Sequence, residues 1–127
     1  MAEKLGSFES KMAGFTFTKT ADGQIETNAS YQGTAEGFGA VFGTITMTQP
    51  LEEAGATSGT VTYVGKALQE DNTILGGIGE GTWQQIGNEP RYKMSLLINI
   101  SDGTVIRSEG VVDNVAMTLN GDNYSVD

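Results

Sequence analysis

Alternation of apolar and polar residues runs along most of the chain and predicts strands rather than helices. The clearest case is RYKMSLLINIS, residues 91–101, where every second side chain is apolar. A strand places such residues on one face and their neighbours on the other. The apolar face consists of Tyr92, Met94, Leu96, Ile98 and Ile100.

Seven further segments have strand composition and are separated by turn-forming residues such as Asp-Gly. They are residues 14–20, 25–37, 38–50, 59–68, 73–87, 104–112 and 115–121. The pattern predicts an all-β chain with one domain over residues 1–127, and a sandwich is the alternative to a barrel. We favour a single antiparallel up-and-down β-barrel of about eight strands, because closure removes exposed strand edges.

The first fourteen residues, MAEKLGSFESKMAG, fit a second interpretation. Leu5, Phe8 and Met12 fall at the i, i+3 and i+7 spacing of one helix face. A short N-terminal helix before the barrel is therefore left open as an alternative.

The segment GGIGEGTWQQIG, residues 76–87, tests whether the chain carries a phosphate-binding loop. Gly77, Gly79 and Gly81 alternate, but TWQQIGNEP follows them in place of the amphipathic helix that a dinucleotide fingerprint requires. Glycine at period two instead indicates a strongly curved strand that another backbone approaches closely. Gly33, Ala35, Gly37 and Gly39 repeat this spacing earlier in the chain.

Composition narrows the chemistry. Sixteen acidic and seven basic residues give a formal charge of −9, which disfavours nucleic acid and anionic membranes as partners. The sequence has no cysteine and no histidine, so thiol nucleophiles, imidazole bases and thiolate metal sites are excluded. We predict no cofactor and no metal. The segment MAEKLGSFES lacks the apolar core of a secretory signal, so we expect a cytoplasmic protein, with the mature part of a secreted protein as the alternative.

Three glutamates stand directly before a glycine: Glu36, Glu80 and Glu109. Each shares its strand face with apolar neighbours at period two. If those neighbours line the interior, burial raises the carboxyl pKa values and provides an acid and a base near neutral pH. Tyr63 is then the candidate proton donor, and Arg107 the cation that holds Glu109 ionised. The alternative is that all three glutamates face solvent.

Aromatic residues are the candidates for a ligand-binding cavity, since they combine a flat apolar face with a polar edge in tyrosine and tryptophan. The candidate ligand-binding residues are Tyr31, Phe38, Phe42, Trp83 and Arg107. For Trp83 the alternative is a core residue that closes one end of the barrel.

The segments YQGTAEGFGAVFGTITMT, SGTVTYVGKAL and GEGTW resemble small bacterial barrels of unknown function that are similar to allene oxide cyclase, within the calycin-like group. The resemblance covers roughly residues 28–83. It implies an eight-stranded antiparallel barrel with a central cavity, often oligomeric and sometimes used to cyclise or isomerise an apolar substrate. It assigns no catalytic residue, because ISDGTVIRSEGVVD departs from the family's late glycine-rich segment.

Three functions therefore remain open. We favour a barrel that binds a small apolar or amphipathic molecule in its interior. The first alternative is a cofactor-free cyclase or isomerase that uses the barrel carboxylates. The second is a self-associating structural module, a homo-oligomer without a small ligand.

Overall fold

The computed structural model describes residues 2–126 and is a closed barrel of eight strands. Each strand pairs antiparallel with the next, and β8 pairs with β1 to close the sheet. The strands are β1 Lys4–Lys19, β2 Gln24–Ala35, β3 Gly39–Pro50, β4 Ser58–Leu68, β5 Ile74–Gln85, β6 Arg91–Ile100, β7 Val105–Asp113 and β8 Thr118–Ser125. The predicted all-β antiparallel barrel is confirmed, and it is compatible with a calycin-like fold.

Strand alternation separates the core from the outer surface. Met94, Leu96 and Ile98 of β6 are buried, as their period-two spacing predicts, whereas Leu97 between them is exposed. The most completely buried side chains are Ile45 on β3 and Val61 on β4, each 1% exposed. The core therefore lies in the middle of the barrel.

The N-terminal helix left open by the sequence is wrong, because the chain from Lys4 onward forms β1. Phe8 and Met12 pack against the core, and buried Ser10 lies between them on the same face. Leu5 is 44% exposed on the other face. Because the inward position between Phe8 and Met12 is occupied by a serine, the apolar residues of this segment do not alternate. Leu5, Phe8 and Met12 fall at helical spacing instead.

A β-bulge between Met12 and Gly14 changes the direction in which β1 side chains point. Phe15 and Phe17 pair with Ala29 and Thr27 of β2, so they share the inward face with Met12. β1 pairs with β8 only as far as Lys11, which lies opposite Thr118, the first residue of β8, and the β1–β2 hairpin extends beyond that point. The two phenylalanines therefore stand at an open end of the barrel.

The eighth strand begins later than the alternation of Val115 and Met117 suggests. Both residues lie in the β7–β8 turn, where Asp113 Oδ1 accepts hydrogen bonds from the backbone N–H groups of Val115 at 2.9 Å and Ala116 at 3.0 Å. Met117 has a φ of 61°, which ends the extended conformation. Val115 and Met117 are both exposed, so their alternation with polar residues does not mark a buried strand face.

The glycine-rich segment is confirmed as a curved strand. A Cβ at Gly79 would lie 2.6 Å from the Leu97 carbonyl oxygen of β6, and one at Gly81 would overlap the Ser95 carbonyl oxygen. The missing side chains let the β6 backbone lean toward the barrel axis, which the tight curvature of a small barrel requires.

Helical structure in residues 2–126 is limited to a 3-10 turn at Leu51–Glu53 after β3. Within this range the chain forms no helix of the length and apolarity that a membrane span would need.

Candidate ligand-binding site in the barrel interior

The barrel interior contains two chambers that share one wall. Tyr31, Ile45 and Met94 line both chambers and form this wall at the middle of the barrel. The large chamber has a volume of about 350 Å³ and lies toward the end of the barrel where the β3–β4 and β7–β8 connections contribute Ala54, Ala56 and Asn114 to its wall. The small chamber has a volume of about 110 Å³ and lies toward the end where β1 begins and β8 ends.

Aromatic and thioether side chains dominate the wall of the large chamber. The aromatic residues are Phe15, Phe17, Tyr31, Trp83 and Tyr92, and the methionines are Met12, Met47 and Met94. Its polar residues are Thr27, Gln49 and Asn114, and none of the charged residues in the described chain lines it. In a chain of formal charge −9, this wall suits an uncharged apolar molecule.

Trp83 is at once a core residue and part of this wall. It is 6% exposed, and its ring meets that of Tyr92 edge to face with the centroids 5.7 Å apart. Its indole covers Gly59, the residue directly opposite on β4, where a Cβ would lie 2.9 Å from Nε1. The two interpretations of Trp83 from sequence, core residue and cavity residue, therefore describe the same position.

The mouth of the large chamber is apolar. Phe15 and Phe17 are 50% and 64% exposed, and their rings meet edge to face with the centroids 5.4 Å apart. Both residues line the chamber. Two exposed aromatic rings beside a cavity form a surface on which an apolar molecule can make its first contact.

Tyr63 occupies one side of the small chamber. Its ring covers Gly43 and Gly65, and a Cβ at Gly43 would lie 2.6 Å from the Tyr63 hydroxyl oxygen. Burial raises the pKa of Tyr63, and burial likewise raises the pKa of Tyr31. Both phenols therefore remain protonated well above neutral pH.

Polar side chains face the small chamber from β1, β7 and β8. They are Ser10, Ser108 and Asn123, which are 7%, 7% and 5% exposed. The Ser10 hydroxyl donates to the Leu119 carbonyl oxygen at 2.6 Å. Ser108 and Asn123 are directly opposite each other on neighbouring strands.

The three candidate catalytic carboxylates do not meet inside the barrel, and their positions agree with the alternative in which they lie on its outer surface. Glu36 is exposed in the β2–β3 turn, where its Oε1 accepts a hydrogen bond from the Ser7 N–H at 3.1 Å. Glu80 is exposed on the outer face of β5 between inward Gly79 and Gly81. Glu109 alternates with residues that line the interior, so it also lies on the outer face.

Arg107 and Phe42 also lie outside the barrel. The Arg107 guanidinium covers the Tyr124 ring at 5.0 Å from the centroid, and its Nε is 4.0 Å from Glu109 Oε2. Phe42 is 48% exposed. These positions follow from strand alternation, since Phe42 precedes inward Gly43 on β3 and Arg107 lies between inward Ile106 and Ser108 on β7. Among the aromatic candidates, Tyr31, Phe38 and Trp83 line the chambers, as does Tyr63.

Sequence reasoning did not select Met12, Met47, Ser108 and Asn123 as site residues, although all four line a chamber. The sequence signal that could have identified the two polar residues is their spacing from glycine, because residues an even number of positions apart on a strand share one face. Ser108 lies two residues before Gly110, and Asn123 lies two residues after Gly121. A Cβ at either glycine would be in close contact with neighbouring residues, which marks both positions as inward. Treating glycine, rather than apolar residues, as the mark of the inner face would have identified them.

No group of three or more acidic residues within residues 2–126 is arranged to hold a metal ion. Comparison of the chain with protein-family models, with curated proteins and with solved structures gives no match.

Proposed function

We propose that the protein binds a small uncharged apolar or amphipathic molecule inside the barrel, with the large chamber as the main site. The observation that carries the proposal is a chamber of about 350 Å³ lined by five aromatic residues and three methionines and by none of the charged residues in positions 2–126. Ligand sites usually occupy about 300–1,000 Å³ and are mostly apolar with a few polar groups. The chamber matches this description in both size and lining.

The open mouth supports entry from solvent. Phe15 and Phe17 extend beyond the last residue of β1 that pairs with β8. An apolar molecule can therefore contact aromatic side chains before it reaches the wall formed by Trp83 and Tyr92. Met12 and Met47 add flexible thioether side chains, which adapt to ligands of different shape.

Titration with N-phenyl-1-naphthylamine, an uncharged apolar fluorophore, tests this proposal. We expect its fluorescence to rise on binding and Trp83 emission to fall through energy transfer, because Trp83 is the single tryptophan and lines the chamber. Replacing both Phe15 and Phe17 with alanine should weaken binding. Leu97→Ala is the control, since Leu97 is 47% exposed on the outer face of β6 and does not line the chamber. No binding to the wild type would refute the proposal.

We do not propose the cyclase or isomerase alternative. Glu36 and Glu80 are exposed, and Glu109 is on the outer face, so no two of these carboxylates converge on one chamber. The polar groups that the described residues contribute to the wall of the large chamber are all neutral. The resemblance to allene oxide cyclase-like barrels supports an interior cavity and adds no catalytic group.

A second candidate function, self-association, is favoured by an outer apolar patch on β3, β4 and β5. The patch consists of Phe42, Val64, Leu68, Ile74 and Ile78, which are between 42% and 68% exposed. Val64 lies directly opposite Ile78, and Leu68 opposite Ile74. Contiguous exposed apolar surface of this kind is typical of interaction sites.

The charges beside the outer apolar patch fit a second copy of the chain. Lys66 lies opposite Gly76 and Glu80 opposite Thr62, so these two charges flank the Val64–Ile78 pair diagonally. A twofold axis through that pair, perpendicular to the line from Lys66 to Glu80, brings Lys66 of each copy to Glu80 of the other. We propose an isologous dimer through this patch.

Sedimentation velocity at micromolar concentration tests the dimer. Val64→Glu should give a monomer, whereas Val115→Glu, at a turn residue that is 76% exposed, should not. Lys66→Glu and Glu80→Lys should each weaken association, and the double variant should restore it. A monomeric wild type, or single variants that associate as the wild type does, would refute the dimer.

A further inference from the structure

We propose that the small chamber is a binding site for the uncharged polar group of a ligand: a hydroxyl, a ketone carbonyl or a primary amide. The inference rests on the proposed function in that it assumes binding inside the barrel. It adds the chemical class of the group that is bound.

The pair Ser108 and Asn123 carries the inference. Both line the small chamber, at 7% and 5% exposure, and they face each other across β7 and β8. Within residues 2–126 no hydrogen bond joins either side chain to another protein group. The fully buried side-chain atom without a partner in this range is Glu109 Oε2, so the polar atoms of Ser108 and Asn123 remain accessible from the chamber that they line. Buried polar groups almost always have partners, so these two side chains point to a partner inside the chamber.

Ser10, in the same chamber wall, differs from Ser108 and Asn123 because its hydroxyl group has a hydrogen-bond partner in the protein. Its hydroxyl donates to the Leu119 carbonyl oxygen at 2.6 Å, and its backbone N–H donates to Asn120 Oδ1 at 3.1 Å. Ser10 is as buried as Ser108. The Ser10 hydroxyl therefore already has a protein partner, whereas the Ser108 hydroxyl and the Asn123 amide on β7 and β8 do not.

The rest of the chamber wall adds neutral donors and acceptors. The hydroxyl groups of Tyr31 and Tyr63 belong to residues that line it, and burial raises the pKa of both. A protonated phenol both donates and accepts a hydrogen bond, as do a serine hydroxyl and an asparagine amide. A hydroxyl, carbonyl or amide group can be matched by such a set.

Charged groups are poorly matched. Of the charged residues in the described chain, Lys66 alone reaches the lining, and it is exposed on β4 between inward Gly65 and Ala67, so it points outward. A carboxylate bound here would find no cation among the described residues, and an ammonium group no carboxylate. An unpaired ion in such a site is strongly disfavoured, and the formal charge of −9 adds to the penalty for an anion.

The volume limits the size of the bound group. The chamber measures about 110 Å³, whereas a dry protein cavity of about 150 Å³ accommodates benzene. A ligand fragment smaller than benzene therefore fits. This size suits a head group or a small solvent-like molecule, not a whole lipid.

Propionamide and propionate provide the test, because they have the same shape and differ in charge. The side-chain amide signals of Asn123 in a nitrogen-15 NMR spectrum of the full chain are the readout. We expect propionamide to shift these signals in a saturable manner. Propionate at neutral pH should bind at least about tenfold more weakly, since its charge is unpaired in the chamber.

Three variants locate the site. Asn123→Leu should weaken propionamide binding about tenfold, as expected for one lost hydrogen-bonding group in a buried site. Ser108→Ala should weaken it as well, and it serves as the test if Asn123→Leu does not fold. Asn99→Leu, at an exposed position on β6, is the matched control and should leave binding unchanged. Because one variant lacks the Asn123 amide, the signals of propionamide itself report binding throughout this series.

Propionate binding as tight as propionamide binding, or equal affinity in all three variants, would overturn the inference. So would the absence of propionamide binding, which would leave the chamber to water alone. Failure of the proposed function has a different signature, because the fluorophore is monitored through Trp83, which lines only the large chamber.

Discussion

The indole of Trp83 lies over Gly59, its directly opposite neighbour on β4, and a Cβ at Gly59 would stand 2.9 Å from the indole Nε1. Replacing Gly59 with valine should displace the indole and lower the free energy of unfolding by about 1–3 kcal/mol, the usual cost of overpacking. Chemical denaturation gives the loss, and a shift of Trp83 emission reports the displacement. Gly14→Val is the control, because a Cβ at Gly14 would have nothing within 4 Å.

Gly81 lies where β6 leans toward the barrel axis. Its Cβ would overlap the Ser95 carbonyl oxygen, and a backbone atom cannot move aside as a side chain can. Gly81→Ala should therefore lower the free energy of unfolding by about 1–3 kcal/mol or more. Gly76→Ala on the same strand, with nothing within 4 Å, should not destabilise it. Equal denaturation midpoints for the two variants would contradict the account of β5 as a tightly curved strand.

Stability should fall in alkaline solution because Tyr31 and Tyr63 are buried as neutral phenols. Burial raises the pKa of each above its ordinary value of about 10, so the unfolded chain releases these protons first. Their contribution is complete below about pH 10 and is lost as pH rises through the folded pKa values. Tyr63→Phe should flatten the fall in stability between about pH 9 and 11. An unchanged slope would contradict the burial of the Tyr63 hydroxyl.

Glu80 provides a test of face assignment. Because Glu80 is exposed on the outer face and lines neither chamber, Glu80→Gln should leave fluorophore binding unchanged. A large loss of affinity for the fluorophore in this variant would show that the Glu80 carboxylate contributes to the binding site and would contradict its place on the outer face.

The fold was predictable because it depends on repetition. Period-two spacing in β6 and the Asp-Gly turn after it are local signals, and seven other segments of strand composition bounded by turn-forming residues accompany them. The start of β1 was not predictable, because Ser10 occupies an inward position and leaves Leu5, Phe8 and Met12 at helical spacing. The bulge after Met12 leaves no clear trace in the sequence.

The candidate site was predicted only in part, and the reason is physical. The inner face was expected to be the more apolar one, but a narrow barrel needs glycine where backbones approach each other closely. This places Phe42 and Ile78 on the outer face, together with Glu80 and Arg107. Tyr31, Tyr63 and Trp83 line the interior as the sequence predicts, and the rings of Tyr63 and Trp83 cover inward glycines of neighbouring strands.

The most direct test of the central claim, ligand binding inside the barrel, is the position of a bound apolar molecule. Nuclear Overhauser contacts between N-phenyl-1-naphthylamine and the side chains of the protein provide it. We expect contacts to the methyl groups of Met12 and Met47 and to the Trp83 indole, all of which line the large chamber. Contacts confined to Val64 and Ile78 of the outer apolar patch would contradict it.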